Sequence, residues 1–310
     1  MKLPDIIDLF VQSVRAGEDI SINSFAARWP KYESKLKEIL PITLMLEDLN
    51  ISDSDKTETI NYEGADDSPE IPEKIGKYQV IREIGRGGMS AVYEVLDVKA
   101  NRPAALKIHL MPQAIREAEI LKKLHHENII AFYDSGQQGN VIYTVMELVD
   151  GASLDKTDWK TLFPGKTPDQ AAALIILQAA RGLAYAHSHG IIHRDVKPAN
   201  ILLTKSGAVR LSDFDLAGGE NAPGNPPDGG TMKYMAPERL MNQQCPAALS
   251  PKTDQFSLGK TFLGILDKKS SPDLIAIAKK AISRVPDNRF ESLDEMADAI
   301  EKWLKEDQSK

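Results

Sequence analysis

The sequence predicts an α+β protein in which a small β-rich half is followed by a larger helical half. Short runs with strand-like alternation fill residues 78–109 and 141–147 and are separated by turns containing Gly or Asn-Arg-Pro. After residue 168 apolar positions recur at helical spacing, interrupted by a loop-rich stretch at residues 191–238. The 310 residues are enough for two lobes and a short N-terminal extension.

The extension, residues 1–50, is predicted to be a helical module. Apolar residues recur at helical spacing in residues 4–16, and Ser24 is placed to cap a second helix. Leu36 and Leu40 share one face of a third helix. Two interpretations stay open: the module is a partner-docking or dimerisation surface, or it packs against the following domain without a separate role.

Residues 51–76 are predicted to be an acidic, flexible linker. Residues 51–75 alone contribute −6 to the formal net charge of −7, and they hold few large apolar residues that could form a core. The segment contains four candidate autophosphorylation sites: Ser52, Ser54, Thr57 and Thr59. The residues after it are nearly neutral and carry no basic stripe, so we expect no nucleic-acid partner.

The sequence also bears on location. It contains no run of eighteen apolar residues, and its most apolar stretch is broken by Gln178 and Arg181. The N-terminal segment carries acids where a secretion signal needs bases. Cys245 is the only cysteine, so no internal disulfide can form. We therefore expect a soluble, cytoplasmic protein without a membrane partner.

A glycine-rich turn joins the first two predicted strands of the β-rich half. Its residues are Gly85, Arg86, Gly87, Gly88, Met89 and Ser90. Glycine lets backbone N–H groups approach phosphates closely without a clash. Taken alone, the motif is also compatible with an ordinary hairpin turn.

A lysine at the end of the next apolar strand is a second candidate. A lysine in such a strand avoids burial unless it has a partner. In the functional interpretation, Lys107 pairs with nucleotide phosphates and with Glu117 on the following predicted helix. In the structural interpretation, the side chain reaches along the strand to water.

The run HRDVKPAN at residues 193–200 is the strongest functional motif. In such a loop, Asp195 can accept a hydroxyl proton, and Lys197 can neutralise a migrating phosphoryl group. The amide oxygen of Asn200 and the carboxylate of Asp213, thirteen residues later, are hard ligands suited to magnesium. These residue types in this order indicate phosphoryl transfer.

Taken together, these motifs resemble the eukaryotic-type (Hanks-type) protein kinase family in its bacterial serine/threonine branch. The resemblance covers roughly residues 77–304 and includes a further motif, Ala-Pro-Glu at residues 236–238. It implies a bilobal, protein-kinase-like domain at residues 77–306, with an N-lobe at 77–149 and a C-lobe at 150–306. The implied activity is transfer of the γ-phosphoryl group of ATP to Ser or Thr hydroxyls of protein substrates, in signalling.

The resemblance also implies how ATP is held. The glycine-rich turn covers the phosphates, and Lys107 contacts the α- and β-phosphates while it pairs with Glu117. Three apolar side chains sandwich the adenine: Val92, Ala105 and Leu202. Met146 is the gatekeeper of a hinge in which the carbonyl of Glu147 and the amide of Val149 bond the adenine edge.

For the chemical step, the resemblance implies that Asp195 orients the substrate hydroxyl and that Lys197 contacts the γ-phosphate. Asn200 and Asp213 are implied to hold Mg²⁺ (or Mn²⁺). Tyrosine kinases usually replace the lysine of this motif, so Lys197 favours serine/threonine specificity. Together with Lys107, these side chains are expected to meet around one metal-bound triphosphate.

Three structural contacts are implied as well. Glu238 is expected to pair with Arg289, and Asp254 to anchor the catalytic loop from a buried helix. Thr231 is expected to bridge Asp195 and the lysine that follows it.

Three features depart from the family pattern. Ser90 stands where a third glycine is usual, and Asp215 replaces the glycine of the usual Asp-Phe-Gly. Only residues 267–271 separate two predicted C-lobe helices, where the family usually has some thirty residues more. Because that region often docks substrates, recruitment here is expected to use another surface.

The activation segment departs too, since residues 214–230 contain no Ser, Thr or Tyr. Arg194 usually binds a phosphate on this segment. We hypothesise that no phosphate switch operates here and that Glu220 or Asp228 supplies the negative charge permanently.

Two other functions compete with this one. A pseudokinase, which binds ATP or partners without turnover, is favoured by Asp215 and by the shortened C-lobe. The intact Lys107, Asp195 and Asn200 weigh against it. A small-molecule kinase is disfavoured by Lys197 and by the Ala-Pro-Glu motif.

Overall fold

The computed structural model describes most of the chain after residue 73. The described residues are 73–86, 90–109, 114–138, 141–214, 217, 232–241 and 250–307, with 6, 9, 10, 13, 21–33, 36 and 40 of the N-terminal region. The chain divides into two compact units, one comprising Met1–Ile115 and Tyr133–Leu148, the other Arg116–Phe132 and Val149–Lys310. No helix among the described residues is long and apolar enough to span a membrane.

The first unit contains a six-stranded sheet. In chain order its elements are helix α1 (Ile22–Ala26) and strands β1 (Lys74–Ile75), β2 (Tyr78–Arg86), β3 (Ser90–Asp97), β4 (Arg102–His109), β5 (Phe132–Gln138) and β6 (Val141–Met146). The strand order is β1-β2-β3-β4-β6-β5, and β2, β3, β4 and β6 pair antiparallel. The predicted small antiparallel sheet is therefore confirmed.

Side chains alternate between the two faces of this sheet because successive residues of a strand point in opposite directions. In β3, Ala91, Tyr93 and Val95 are buried and the residues between them are half-buried. The buried members form one apolar cluster: Ile75, Tyr78, Ala91, Tyr93, Val95, Ala104, Leu106, Ile108, Tyr143 and Val145. The opposite face of β3 and β4 is therefore available for other contacts.

The N-terminal residues form an apolar cluster of their own. Its buried members are Ile6, Phe10, Phe25, Ala26, Leu36 and Leu40, and they come from all three predicted helical runs. The rings of Phe10 and Phe25 meet edge to face, with centroids 4.9 Å apart. The expected cap at Ser24 is wrong: Ser24 lies inside α1, and its hydroxyl donates to the carbonyl of Ser21.

The predicted linker lies largely outside the described residues. Its last residues are described, and Lys74–Ile75 form β1, which pairs antiparallel with β2. Val80 also donates its N–H to the carbonyl of Glu73. The chain is therefore already part of the sheet at residue 73.

The second unit is mainly helical. Its elements are α2 (Ala114–Leu121), β7 (Gly151–Ser153), α3 (Pro168–Ser188), β8 (Ile201–Thr204), β9 (Val209–Leu211), α4 (Pro237–Met241), α5 (Lys252–Ile265), α6 (Pro272–Ala281) and α7 (Leu293–Asp307). Strands β7, β8 and β9 form a three-stranded antiparallel sheet. Ile129 adds a parallel bridge to Leu211, the last residue of β9.

Helix α3 forms the centre of this unit. It begins with a capping box, in which Thr167 and Gln170 bond to each other's backbone amides, and Pro168 occupies the first turn. Eleven of its residues are buried, as the apolar pattern after residue 170 predicts. A Cβ on Gly182 would approach the carbonyl oxygen of Asn128 to 3.0 Å, so glycine permits the close approach of that segment.

The connection between α5 and α6 is as short as predicted. Helix α5 ends at Ile265 and α6 begins at Pro272. Within the connection, the N–H of Asp267 donates to the Ser270 hydroxyl, and the N–H of Ser271 donates to Asp169 at the start of α3. The second of these bonds joins the connection to the first turn of the central helix.

Candidate active site

One face of the sheet carries three of the predicted nucleotide-binding side chains. Lys107 on β4 lies opposite Val92 on β3 and opposite Thr144 on β6. Ala105 lies two residues before Lys107, so it points to the same side. All three lie on the face opposite the apolar cluster, and Lys107 is only 6% exposed.

The described part of the glycine-rich turn forms the ends of β2 and β3. Gly85 pairs with Val92, and Arg86 pairs with Ala91. The guanidinium of Arg86 donates to both carboxylate oxygens of Glu83, which raises the pKa of Arg86 above its ordinary value. Ser90 begins β3. The remaining predicted residues of this turn, Gly87, Gly88 and Met89, lie outside the described residues.

The predicted hinge, residues 145–149, begins with the last two residues of β6. Met146 ends β6 and is buried, and Glu147 and Val149 follow outside any helix or strand. The chain passes from the first unit to the second between Leu148 and Val149. The contacts of Glu147 and Val149 with adenine remain a prediction.

The pair between Lys107 and Glu117 also remains a prediction. Lys107 belongs to the first unit, whereas Glu117 lies on α2 in the second. The position of the Glu117 carboxylate lies outside the described residues.

The catalytic-loop residues do converge. The ammonium of Lys197 lies 2.7 Å from Oδ2 of Asp195. The side-chain amide of Asn200 donates to the carbonyl of Asp195 at 2.8 Å and to its Oδ2 at 3.0 Å. The other oxygen, Oδ1, is buried and has no hydrogen-bond partner among the described residues. A buried oxygen without a donor is costly, so this atom is suited to accept a hydroxyl proton.

Asp213 is joined to this loop through the residue before it. The N–H of Ser212 donates to the carbonyl of Asn200 at 3.0 Å, and His193 contacts the carbonyl of Ser212 through Nε2 at 3.0 Å. The ring of His193 also packs on Phe214, with centroids 4.4 Å apart. The backbone of Asp213 is left-handed, with φ of 65°. Asn200 and Asp213, the two predicted metal ligands, therefore lie on segments that a backbone hydrogen bond joins.

Their donor atoms fit a magnesium ion. The amide nitrogen of Asn200 faces Asp195, which makes its oxygen the atom suited to a metal, and Asp213 adds a carboxylate. No group of three or more His, Cys, Asp or Glu side chains among the described residues could form a metal cage. Mg²⁺ needs few protein ligands, because it takes its other ligands from phosphates and water.

Asp254 holds the catalytic loop from helix α5, as the resemblance implies. It is fully buried, and its two oxygens accept the N–H groups of His193 and Arg194, each at 2.8 Å. Burial acts to raise the pKa of Asp254. The hydrogen bond from His187, the nearby imidazoles of His187 and His193, and the backbone bond from Arg194 outweigh burial and lower that pKa. Asp254 therefore stays ionised beneath the loop.

Two contact residues were not predicted from the sequence. His187, near the end of α3, places Nε2 2.8 Å from Asp254. Arg239, directly after the Ala-Pro-Glu motif, donates from Nη1 to the carbonyl of Arg194. The sequence offers only their closeness to known motifs as a signal, because both contacts join residues more than forty positions apart.

The expected pair of Glu238 and Arg289 is confirmed. The guanidinium nitrogens of Arg289 lie 2.7 and 2.9 Å from the two carboxylate oxygens of Glu238. The arginine side chain is fully buried. This bidentate pair fixes α4 to the segment before α7. The bridge from Thr231 lies outside the described residues.

Comparison with known proteins agrees with this geometry. The protein kinase domain family matches residues 78–307. The chain belongs to the protein kinase family. A solved member, a mutant of the Mycobacterium tuberculosis PknI kinase domain, is 26% identical with a TM-score of 0.56, covering 75% of this chain and 98% of its own. This similarity confirms the predicted kinase-like α+β fold class.

The chain is similar to several bacterial serine/threonine-protein kinases. PknB of Mycolicibacterium smegmatis is 32% identical over 72% of this chain and 42% of its own length. A probable serine/threonine-protein kinase of Streptomyces coelicolor is 31% identical over 76% of this chain and 41% of its own length. PknD of Mycobacterium tuberculosis is 38% identical over 58% of this chain. The chain thus spans less than half the length of these relatives.

Proposed function

We propose that this chain is a serine/threonine protein kinase that transfers the γ-phosphoryl group of ATP to serine or threonine hydroxyls of protein substrates. The arrangement around Asp195 carries the proposal. One carboxylate oxygen is held by Lys197 and Asn200, while Oδ1 is buried without a donor among the described residues. A substrate hydroxyl can supply the missing donor and be oriented for attack.

Lys197 has a second role in this proposal. Its ammonium lies beside Asp195, so it is held near the place where the hydroxyl meets the phosphoryl group. There it stabilises negative charge on the transferring group. A lysine at this position supports serine or threonine acceptors, in agreement with the names of the relatives.

Residues of the first unit are proposed to bind the nucleotide. Lys107 binds the α- and β-phosphates, and its position on the same sheet face as Val92 and Ala105 supports this role. Val92 and Ala105 supply apolar surface for the adenine from the same sheet face. Asn200 and Asp213 would hold Mg²⁺ or Mn²⁺, which supplies positive charge to the phosphates.

The proposal is tested by replacing Asp195 with Asn. This variant keeps the shape of the side chain but removes the charge that accepts the hydroxyl proton. Transfer of labelled phosphate from ATP to a generic basic substrate protein is expected to fall at least about a hundredfold. Binding of ATP, measured by calorimetry, is expected to persist.

The matched control is Asp155→Asn, at an exposed position of the same unit. It is expected to transfer phosphate as the unaltered chain does. ATP binding without transfer to any protein, the chain itself included, would replace the kinase proposal by a pseudokinase that binds nucleotide.

Two finer proposals concern the N-terminal region. We propose that Ser52, Ser54, Thr57 and Thr59 are sites of autophosphorylation, because they lie in an acidic segment poor in core-forming residues. We also propose that residues 1–50 dock a partner or a second copy of the chain. The separate apolar cluster of this region supports a module that folds around its own core.

A further inference from the structure

The catalytic loop contains an unusual backbone conformation immediately before Asp195. Arg194 has φ of 69°, in the left-handed region of backbone conformation that residues other than glycine and asparagine rarely adopt. Such a conformation costs about 1–3 kcal/mol and persists only where surrounding contacts hold it. The peptide groups on both sides of Arg194 must therefore be fixed by other residues.

The peptide before Arg194 is fixed from helix α5. Its N–H donates to Oδ1 of Asp254 at 2.8 Å. The peptide after Arg194 joins it to Asp195, and this group is held at both ends. Its N–H, which belongs to Asp195, points to Nδ1 of His193 at 3.3 Å. Its carbonyl oxygen accepts a hydrogen bond from Nη1 of Arg239.

Arg239 is held firmly enough to act as an anchor. It lies on the short helix α4 and is only 7% exposed. The preceding residue, Glu238, is fixed by its bidentate pair with Arg289. The guanidinium also lies within electrostatic reach of Asp254 and Asp195. Burial lowers the pKa of Arg239, and these carboxylates oppose that effect.

We propose that Arg239 is a positioning residue for Asp195. By holding the carbonyl oxygen of Arg194, it fixes the planar peptide that leads into Asp195 and so the direction in which the carboxylate points. The inference rests on the proposed kinase function, since the carboxylate that Arg239 orients is the one that accepts a hydrogen bond from the substrate hydroxyl. Arg239 itself contacts no reacting atom in this assignment.

Loss of the hydrogen bond from Arg239 to the Arg194 carbonyl is expected to affect kcat and KM for ATP differently. If the peptide rotates, the carboxylate moves relative to the substrate hydroxyl, and a displacement of about 1 Å can cost about a hundredfold in rate. Nucleotide affinity would hardly change, because Lys107, Val92 and Ala105, which are proposed to bind the adenine and the α- and β-phosphates, lie in the first unit and outside the catalytic loop. The expected signature is therefore a fall in kcat with little change in KM for ATP.

The test compares Arg239→Met, Arg239→Lys and Arg239→Ala in the full chain. Arg239→Met is expected to lower kcat about ten- to a hundredfold while KM for ATP stays within about twofold. Arg239→Lys keeps a cationic donor and is expected to recover part of kcat. Arg239→Ala leaves space for a guanidinium ion, so added guanidinium chloride at non-denaturing concentration is expected to raise its kcat.

The matched control is Arg210→Met. Arg210 also donates from its guanidinium to backbone carbonyls, those of Glu127 and Val209, and it lies on β9, outside the catalytic loop. Its kcat is expected to stay near that of the unaltered chain. A kcat for Arg239→Met within twofold of the unaltered chain overturns the inference, as does a loss in Arg239→Ala that guanidinium does not relieve.

Hydrogen exchange at the amide of Asp195 tests the same contact without relying on transfer. Faster exchange in Arg239→Lys and Arg239→Ala than in Arg210→Met supports the inference, and equal exchange overturns it. This measurement is informative even if Arg239→Met does not fold. If the unaltered chain transfers no phosphate, the proposed function is wrong. If the unaltered chain is active and the Arg239 variants keep its kcat, only the positioning role of Arg239 is wrong.

Discussion

Arg289 shows how much the fold depends on single charged side chains. Its guanidinium is fully buried, donates to both oxygens of Glu238, and also bonds the carbonyls of Ser283 and Lys252. Removing one member of a buried pair leaves the other charge without compensation, at a cost of about 3–5 kcal/mol.

Arg289→Met is therefore expected to lower the free energy of unfolding by about 3–5 kcal/mol, as measured by chemical denaturation. The double variant Arg289→Met with Glu238→Gln is expected to recover part of this loss, because the isolated carboxylate is then gone. A loss below about 1 kcal/mol in the single variant would contradict the role of the pair.

Asp254 makes stability depend on pH. Its pKa is lowered in the folded chain, so the unfolded chain binds the proton more tightly. The stabilisation is fully present above the ordinary carboxylate pKa of about 4 and is lost as pH falls through the lower folded pKa.

Denaturation measured between pH 2 and 6 is expected to show a steeper loss of unfolding free energy below pH 4 in the unaltered chain than in Asp254→Asn. The exposed Asp155→Asn serves as the control and is expected to keep the steep loss. Parallel pH profiles for the unaltered chain and Asp254→Asn would show that this carboxylate is not responsible.

At this scale the sequence predicts residues whose spacing within one motif fixes their chemistry. Asp195, Lys197 and Asn200 lie within six positions, so one loop must bring them together. The sequence does not predict His187 or Arg239, because their contacts depend on where distant helices cross. Asp254 and Arg289 could be assigned only through the family resemblance.

Among the elements, α5 and α6 pack closely through a glycine. A Cβ on Gly259 would lie 2.7 Å from Cβ of Ala281 and 2.9 Å from Cγ2 of Ile282. By contrast, a Cβ on Gly264, near the end of the same helix, meets nothing within 4 Å. This close approach accompanies the short connection between the two helices.

These two glycines form a matched pair. Gly259→Ala is expected to destabilise the chain by about 1–3 kcal/mol, because overpacking outweighs the gain in helix propensity. Gly264→Ala is expected to be neutral or to stabilise by up to about 1 kcal/mol. Thermal unfolding of both variants checks this, and similar melting temperatures would argue against close packing at Gly259.

Elements were predicted best where their pattern is regular. The strands of the first sheet and the buried helix α3 follow from alternation and from helical spacing. Helix α1 was less predictable, since it is five residues long and begins after Ser21 rather than at a cap on Ser24. In so short a helix, packing of Phe25 into its cluster decides more than the cap does.

At the scale of the whole molecule, the sequence of the activation segment predicts how activity is regulated. Residues 214–230 carry no hydroxyl that a kinase could modify. We therefore expect the chain to be active without phosphorylation of this segment. Mass spectrometry of the active protein is expected to find no phosphate at residues 214–231, and phosphatase treatment is expected to leave its activity intact.

Thr231, immediately after that stretch, provides the contrary outcome. If phosphate on Thr231 is required for transfer, the hypothesis of a permanently charged segment is wrong. A Thr231→Val variant does not serve here, since the hydroxyl itself is expected to contact the catalytic loop. Quantifying phosphate occupancy against activity avoids that difficulty.

The bridge between Ile129 and Leu211 has a mechanical consequence. The N–H of Leu211 donates to the carbonyl of Asn128, and the N–H of Ile130 donates to the carbonyl of Leu211, each at 2.9 Å. These hydrogen bonds join the segment after α2 to β9, the strand that precedes Asp213. A displacement of α2 would therefore be transmitted to the backbone of Leu211, two residues before Asp213, the proposed metal ligand.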